Sequence, residues 1–220
     1  MLLPQCNHAL ENSVLAHMPS PQVFAFGGEL LPCDGSAILY PDFLNSDLAD
    51  EYFDDLSRSL PWEQNELVMF GKKIPEPRFS CWHSNDGIPY TYSGKPRTAH
   101  PFNETLLGIK NHCEELASHT FNGVLANLYR DGADHMGWHA DDEAVNGPEP
   151  IIASVSLGAE RRFDFKHRVT GEKISTVLPH GSLLVMAGKS QSHWLHRIAK
   201  TSKVTGPRIN LTFRHLYETV

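Results

Sequence analysis

Short runs in which apolar residues recur at every second position dominate the C-terminal half of the chain and constrain its fold more than any other feature. Glycine, proline or aspartate separates the runs, and no segment between them has the length and period of a helix. The strand candidates are Val124–Tyr129, Ile151–Leu157, Arg162–Lys166, Ile174–Leu178, Ser182–Met186 and Arg208–His215. Because parallel strands need a helical crossover, this series predicts an antiparallel sandwich, jelly roll or barrel.

Two helices are predicted in the N-terminal half from apolar residues at three- and four-residue spacing. The first begins at Ser46, which can cap it, and Pro61 stops it. The second runs from Glu104 to about Ser118, with Asn103 as its N-cap.

The segments around these helices show no clear period. Residues 1–45 are interrupted by Pro and Gly, which predicts an arm with short strands. Residues 62–100 are rich in aromatic residues, Pro and Gly, which predicts an irregular segment. We therefore predict one α+β domain over residues 1–220, in which the arm and a helical part at 46–122 pack on a jelly-roll core at 123–216.

Composition and charge limit the classes of function. The 19 Lys and Arg against 26 Asp and Glu give a net charge of −7, which disfavours a protein that coats nucleic acid in bulk, although a local basic face remains possible. The four cysteines form no C-x-x-C pair, so free thiols in a reducing compartment are expected. No apolar run reaches the roughly 18 residues of a membrane-spanning helix, and the start lacks a signal-peptide pattern. We expect a monomer in the cytoplasm, or in the nucleus of a eukaryote, without a membrane partner.

One segment carries a candidate metal site. His139 and Asp141 are two residues apart, so on an extended backbone both side chains point to the same side. An imidazole and a carboxylate are two of the three ligands in the facial triad of non-haem iron enzymes. Alone the pair is a weak signal, because solvated loop residues give the same pattern. A third ligand can come from His193 or His196, which follow His139 by 54 and 57 residues.

The last strand candidate has two chemically different faces. Ile209, Leu211 and Phe213 form an apolar face, and the opposite face is polar, with Arg208, Asn210, Thr212 and Arg214. If the polar face is exposed, this is an ordinary half-buried strand. If it lines a barrel, its arginines need anionic partners, because an unpaired buried charge is costly. Two arginines at the ends of such a strand suit a small dicarboxylate.

These motifs together resemble the AlkB family of iron(II)- and 2-oxoglutarate-dependent dioxygenases, over roughly residues 65–216. The matching motifs are N-x-Y at Asn127 and Tyr129, H-x-D-D-E from His139 to Glu143, I-A-S-V-S-L-G-A from Ile152 to Ala159, H-G-S-L-L-V-M from His180 to Met186, the distal His196 and P-R-x-N-L-T-F-R from Pro207 to Arg214. The pattern looks closest to the branch that repairs alkylated bases.

The resemblance implies a role for each residue of the cofactor site. His139, Asp141 and His196 hold iron(II), and the family pattern prefers His196 to His193 as the third ligand. The residues implied in 2-oxoglutarate binding are Arg208, Tyr129 and Asn127 at the distal carboxylate, and Asn210 and Arg214 near the iron.

The resemblance also implies a base-binding segment. Tyr90, Tyr92 and Ser93 hold the damaged base, with Tyr92 on one face of the base and His139 on the other; core packing is the alternative for the tyrosines. Asp142 and Glu143 read exocyclic amino groups. Phe70 matches an apolar wedge that enters the duplex in some relatives, although a buried Phe70 fits the sequence nearly as well.

Positive charge near this segment is local. Candidate phosphate contacts are Lys72, Lys73, Arg78, Lys95, Arg97, Arg197, Lys200 and Lys203. For each residue alone, an ordinary solvated position is the default.

The implied activity is oxidative demethylation of 1-methyladenine and 3-methylcytosine in DNA or RNA, with formaldehyde, succinate and CO₂ as products. Two alternatives stay open: the same cofactor chemistry on a protein or a small molecule, and a jelly-roll binding module without catalysis. A zinc hydrolase is less favoured, because it does not explain the paired arginines.

Overall fold

The computed structural model of the protein describes residues 28–69, 72–88, 90–92 and 95–217. It contains three helices, α1 (Ser46–Ser59), α2 (Glu104–Ala117) and the single turn α3 (Ser190–His193), among these residues. The strands are β1 (Gly28–Glu29), β2 (Ser36–Tyr40), β3 (Glu66–Met69), β4 (Lys72–Pro75), β5 (Phe79–Ser84), β6 (Tyr90–Tyr92), β7 (Lys95–Arg97), β8 (Ala99–His100), β9 (Gly123–Tyr129), β10 (Met136–His139), β11 (Ile152–Gly158), β12 (Arg161–His167), β13 (Lys173–Leu178), β14 (Ser182–Ala187), β15 (Trp194–Ile198) and β16 (Arg208–Arg214).

Both predicted helices are confirmed, and an asparagine caps each of them. The Asn103 side chain accepts a hydrogen bond from the Leu106 amide at 2.9 Å, as predicted for α2. The predicted cap of α1 was wrong by one residue: Asn45 has extended backbone and accepts from the Leu48 amide at 2.9 Å. Ser46 is already helical, so the residue before it has the geometry of an N-cap.

Two sheets form the jelly roll. The larger sheet has the strand order β1-β2-β14-β11-β16-β9-β5-β8, and the smaller has the order β10-β15-β12-β13. Within the described chain the pairings are antiparallel, except for the short parallel contact of β5 with β8, which confirms the predicted class. Two further ribbons, β3–β4 and β6–β7, lie outside these sheets.

The prediction that residues 62–100 are irregular was wrong at the short strands β3, β4 and β6 to β8, and most clearly at β5. This strand pairs with β9 over its full length and belongs to the larger sheet. Its sequence, Phe79-Ser-Cys-Trp-His-Ser84, is buried on both faces apart from a partly exposed Phe79. A strand that is covered on both sides needs no alternation of polar and apolar residues, so a period-two pattern does not reveal it.

The larger sheet separates two layers of core. On one face α1 and α2 pack on apolar residues that include Ile209, Leu211 and Phe213 of β16. The other face meets the smaller sheet in a second apolar cluster that includes Phe163 and Phe165. The polar face of β16 therefore lines the space between the sheets, since side chains alternate along a strand. None of the helices in the described ranges combines the length and apolarity needed to cross a membrane.

Candidate active site

The two candidate histidine ligands lie on paired strands of the smaller sheet. His139 ends β10 and His196 lies in the middle of β15, and the two are direct cross-strand partners. Their ring centroids are 4.2 Å apart. Asp141 follows two residues after His139, and the ligand atoms of all three residues lie within 4.8 Å of one another. The register of β10 on β15 thus assembles the group that the sequence predicted.

Hydrogen bonding and burial set the ionisation of this group. Burial raises the pKa of Asp141, but Arg214 and the two histidines outweigh it, so that the pKa is lowered and the carboxylate is ionised. Arg214 Nη2 donates to Asp141 Oδ1 at 2.8 Å. Burial lowers the pKa of His196 to about 3, so its imidazole is neutral near pH 7. A carboxylate and a neutral imidazole are the forms that bind a divalent metal.

The ring of each histidine has a fixed orientation. His139 Nδ1 lies 2.9 Å from the Gly137 carbonyl oxygen. A carbonyl can only accept, so Nδ1 carries the proton and Nε2 is left with its lone pair for a metal. The His196 ring stacks on Phe163 at a centroid distance of 5.4 Å and an angle of 20°. His193 lies on α3 instead, with its ring 6.1 Å from that of His167, and is not in the ligand group.

The donor set fits iron(II). Two imidazoles and one carboxylate form the facial set of non-haem iron oxygenases, which leaves further coordination positions for a cosubstrate and O₂. The same side chains line a narrow cavity between the sheets, together with residues from β9, β11 and β16. The metal group and the polar face of β16 therefore share one space.

Arg208 is a buried cation at the other end of this cavity. Its side chain is 1 % exposed. Nη2 donates to Ser156 Oγ at 2.9 Å, whereas Nε and Nη1 have no hydrogen-bond partner among the described residues. Its guanidinium lies 5.3 Å from the ring centroid of Tyr129. Burial lowers the pKa of Arg208 to about 10, so it is still charged at neutral pH. A buried cation with two open donors fits a carboxylate of 2-oxoglutarate.

The other predicted cofactor residues face the same cavity but are partly engaged within the protein. Asn127 Oδ1 accepts from Arg78 Nε at 2.9 Å. Asn210 donates to Ser154 Oγ at 2.8 Å and to the Val155 carbonyl at 3.0 Å. The hypothesis that two arginines bracket one dicarboxylate changes accordingly: Arg208 has the open donors, and Arg214 contacts the candidate metal ligand Asp141.

The assignment of Arg78 to the substrate surface was wrong. Arg78 is 2 % exposed and lies 3.1 Å from a Glu76 carboxylate oxygen in an ion pair that is itself buried. Charge patterns in a sequence do not reveal such a buried partner, which makes an interior arginine look like a surface cation. Arg78 instead donates a hydrogen bond to Asn127, whose side chain lines the cavity.

The predicted base-binding residues are only partly described. Asp142 is paired with Arg168 at 2.7 Å, and Glu143 accepts a hydrogen bond from Asn146 at 3.0 Å. Both carboxylates follow directly on the metal ligand Asp141. Tyr90 and Tyr92 lie on the β6–β7 ribbon. The side chains of Tyr90 and Tyr92, and the residues Phe70 and Ser93, lie outside the described part of the chain.

A basic pocket lies on the outer side of the smaller sheet. It has a volume of about 350 Å³ and is lined by Arg161, Arg162, Asp164, Arg197, Ala199, Lys200, Thr201, Lys203 and Val204. Three of the predicted phosphate contacts, Arg197, Lys200 and Lys203, meet here. Of the others, Lys73 is exposed and 3.6 Å from Glu66, and the side chains of Lys72, Lys95 and Arg97 are not described.

Sequence reasoning missed several residues of the site. Ser154 and Ser156 of β11 contact Asn210 and Arg208, and their period-two spacing in an apolar strand was an available signal. Arg161 donates to the carbonyls of Asp131, Asp134 and Ala199 at 2.9 to 3.1 Å, and no local pattern distinguishes it from exposed Arg162. Gln191 on α3 also carries no sequence signal, although it contacts the metal-ligand segment.

Comparison with known proteins gives consistent matches. A family model described as the 2OG-Fe(II) oxygenase superfamily matches residues 36–214. The chain is 36 % identical over 219 residues to alpha-ketoglutarate-dependent dioxygenase alkB homolog 3 of Mus musculus, which covers 93 % of this chain and 76 % of that protein. The Bos taurus protein of the same name is 39 % identical over 189 residues, or 81 % of this chain and 65 % of that protein.

A second group of relatives has a different name. DNA oxidative demethylase ALKBH2 of Mus musculus is 36 % identical over 213 residues, which are 92 % of this chain and 87 % of that protein. The solved structure of OsALKBH1 superposes with a TM-score of 0.59 at 15 % identity, over 84 % of this chain and 99 % of that one. At this identity the likeness concerns the fold alone.

Proposed function

Because this chain belongs to the AlkB family of 2-oxoglutarate- and iron(II)-dependent oxygenases, we propose that it demethylates alkylated nucleobases, with 1-methyladenine and 3-methylcytosine in DNA or RNA as substrates. The observation that carries the proposal is the shared cavity, which holds a His-Asp-His group near one end and a buried arginine with open donors near the other. Relatives with both names, alkB homolog 3 and DNA oxidative demethylase, support the substrate class.

Each part of the cavity has a separate task in this proposal. His139, Asp141 and His196 hold iron(II), and Arg214 keeps the Asp141 carboxylate ionised and oriented. Arg208 binds the distal carboxylate of 2-oxoglutarate, beside Tyr129. When bound, iron(II) and 2-oxoglutarate supply the oxidation of a methyl group by O₂, with succinate, CO₂ and formaldehyde as products.

The nucleic acid is recognised outside the cavity. Asp142 and Glu143, next to the metal ligand, can accept hydrogen bonds from the exocyclic amino group of a flipped base. The basic pocket supplies phosphate contacts: five cationic side chains and one carboxylate line it, so its net charge is positive although that of the chain is −7. Arg162 and Arg197 both contact Asp164, at 2.6 and 2.9 Å, which fixes two of these cations in place.

The test is 2-oxoglutarate turnover with a panel of methylated single- and double-stranded DNA and RNA oligonucleotides. After subtraction of the succinate formed without oligonucleotide, we expect succinate and formaldehyde in equal amounts and loss of the methyl group by mass spectrometry. The matched controls are unmethylated oligonucleotides and the His196→Ala variant. Robust turnover with methylated peptides or free methylated nucleosides, and none with any oligonucleotide, would assign the same chemistry to another substrate.

The quaternary state and location are part of the proposal. We propose that the protein is a monomer and that it acts in the cytoplasm or, in a eukaryote, in the nucleus, where nucleic acid is repaired. Light scattering after gel filtration and fractionation of cells that express the protein test these two points.

A further inference from the structure

The metal-ligand segment is held in place from an element that carries no ligand. Asp141 lies between β10 and the next strand, and residues 140–143 belong to no helix or strand. Its backbone N–H therefore has no partner in a β-ladder. The residue is buried at 3 % exposure, and a buried amide left without a partner is costly.

Gln191 supplies that partner. Its side-chain Oε1 accepts from the Asp141 amide at 3.0 Å. Its Nε2 donates to Ser190 Oγ at 3.3 Å and to the Met186 sulfur at 3.5 Å. The Asp141 amide can only donate, so the orientation of the Gln191 carboxamide is fixed by chemistry. At 2 % exposure, Gln191 is as buried as Asp141.

The turn that carries Gln191 is itself fixed. The Arg168 amide donates to the His193 carbonyl at 2.7 Å, which ties α3 to the β12–β13 turn. On the other side Gly35 faces the Ser190 backbone so closely that a Cβ there would lie 2.4 Å from the Ser190 nitrogen. The hydrogen bond from Asp141 thus ends on a rigid element.

Side-chain hydrogen bonds hold the backbone of Asp141 at both its amide and its carbonyl group. Asn146 donates to the Asp141 carbonyl at 3.2 Å, and Gln191 accepts from its amide. Arg214 then orients one carboxylate oxygen, at 2.8 Å. The remaining oxygen faces His196 Nε2 at 3.8 Å, where a shared metal would lie. The direction of the Asp141 side chain therefore depends on its backbone, which the side-chain amides of Gln191 and Asn146 hold in place.

We propose that Gln191 is a positioning residue for the metal centre: by accepting the Asp141 amide hydrogen bond, it holds the carboxylate at the distance from His139 and His196 that metal binding needs. The inference rests on the metal centre and not on the nucleic-acid substrate. Loss of an outer partner of a metal ligand commonly weakens metal binding by about 10- to 100-fold.

The experiment measures Mn(II) binding to the metal-free protein by the electron paramagnetic resonance signal of free Mn(II). Gln191→Met keeps the volume and removes the acceptor, and we expect its dissociation constant for Mn(II) to rise about 10- to 100-fold. Gln191→Glu keeps an acceptor oxygen, so we expect its dissociation constant for Mn(II) to rise clearly less than that of Gln191→Met. Ser192→Ala, an exposed residue of the same turn, is the matched control and should not change the constant.

Thermal melting of the metal-free variants separates positioning from a general packing role. Gln191→Met with a lower melting temperature but a wild-type Mn(II) constant would overturn the proposal, as would an equal loss of affinity in Gln191→Met and Gln191→Glu. If Gln191→Met does not fold, Gln191→Asn, which withdraws the acceptor by one methylene, carries the same expectation. Because no oligonucleotide is present, failure here is distinguishable from failure of the proposed substrate.

Discussion

Replacing Arg208 by methionine should strongly weaken 2-oxoglutarate binding without loss of stability. Arg208 is 1 % exposed, and neither its Nε nor its Nη1 has a hydrogen-bond partner within the described ranges, so the free protein gains little from the charge. When a carboxylate binds there, truncating its partner costs about 2–5 kcal/mol. At about 1.4 kcal/mol per factor of ten, the KM for 2-oxoglutarate should rise by roughly 30- to 4000-fold.

The assay is succinate formation at saturating iron(II) over a wide range of 2-oxoglutarate concentrations. Arg208→Lys is the matched control: it keeps a charge but not the planar fork, so its KM should lie between those of the wild type and Arg208→Met. The melting temperature of Arg208→Met should equal or exceed that of the wild type, because the substitution removes a buried cation that has no anionic partner among the described residues of the free protein.

The pH dependence of the wild type gives a second check on the same residue. The folded pKa of Arg208 is lowered to about 10, so the cation is present below that pH and is lost as the pH rises through it. The kcat/KM for 2-oxoglutarate should therefore fall above about pH 10. A KM change below twofold in Arg208→Met, or a drop in melting temperature parallel to the loss of activity, would refute the anchor role.

Three further predictions concern the metal, the basic pocket and the base. His196→Ala should abolish Mn(II) binding and turnover in a folded protein, and His193→Ala should preserve both; the reverse pattern in a titration would reassign the third ligand. Asp164→Asn should lower the free energy of unfolding at pH 7 by about 1–3 kcal/mol. Burial raises the pKa of Asp164, but its hydrogen bonds lower the pKa overall. The stability difference between wild type and variant should therefore shrink as the pH falls through that lowered pKa. Urea unfolding at several pH values measures this difference, and a difference that does not change with pH would contradict the prediction. Tyr92→Ala should weaken use of methylated oligonucleotides by about 1–3 kcal/mol, equally for methylated adenine and cytosine, while turnover of 2-oxoglutarate without nucleic acid persists. A stable Tyr92→Ala that demethylates at the wild-type rate would exclude stacking, and a lower melting temperature with loss of both activities would indicate core packing.

The fold class was predictable because its signals are local. The three- and four-residue spacing that predicts α1 and α2, and the two faces of β16, depend only on how side chains project from a helix or a strand. Composition and motif spacing also identified His139, Asp141 and Arg208 as candidates. The strands that evaded prediction are β3 to β8, which lie in the segment expected to be irregular, and β10 and β15, in which histidines interrupt the apolar alternation.

What only the tertiary structure decided is which of these residues meet. Residue spacing alone left His193 and His196 as alternatives for the third ligand, and the family resemblance preferred His196. The register of β10 on β15 then places His196 opposite His139. The sequence predicted a surface cation at Arg78, which a buried glutamate holds in the interior. Strand alternation alone offered Arg208 and Arg214 alike, and the family resemblance assigned the first to the distal carboxylate and the second to the iron end. In the structure Arg208 keeps two donors without a partner among the described residues, and Arg214 contacts Asp141. Side-chain periodicity is a property of a few neighbouring residues, whereas burial, ion pairing and strand register depend on residues far apart in the chain.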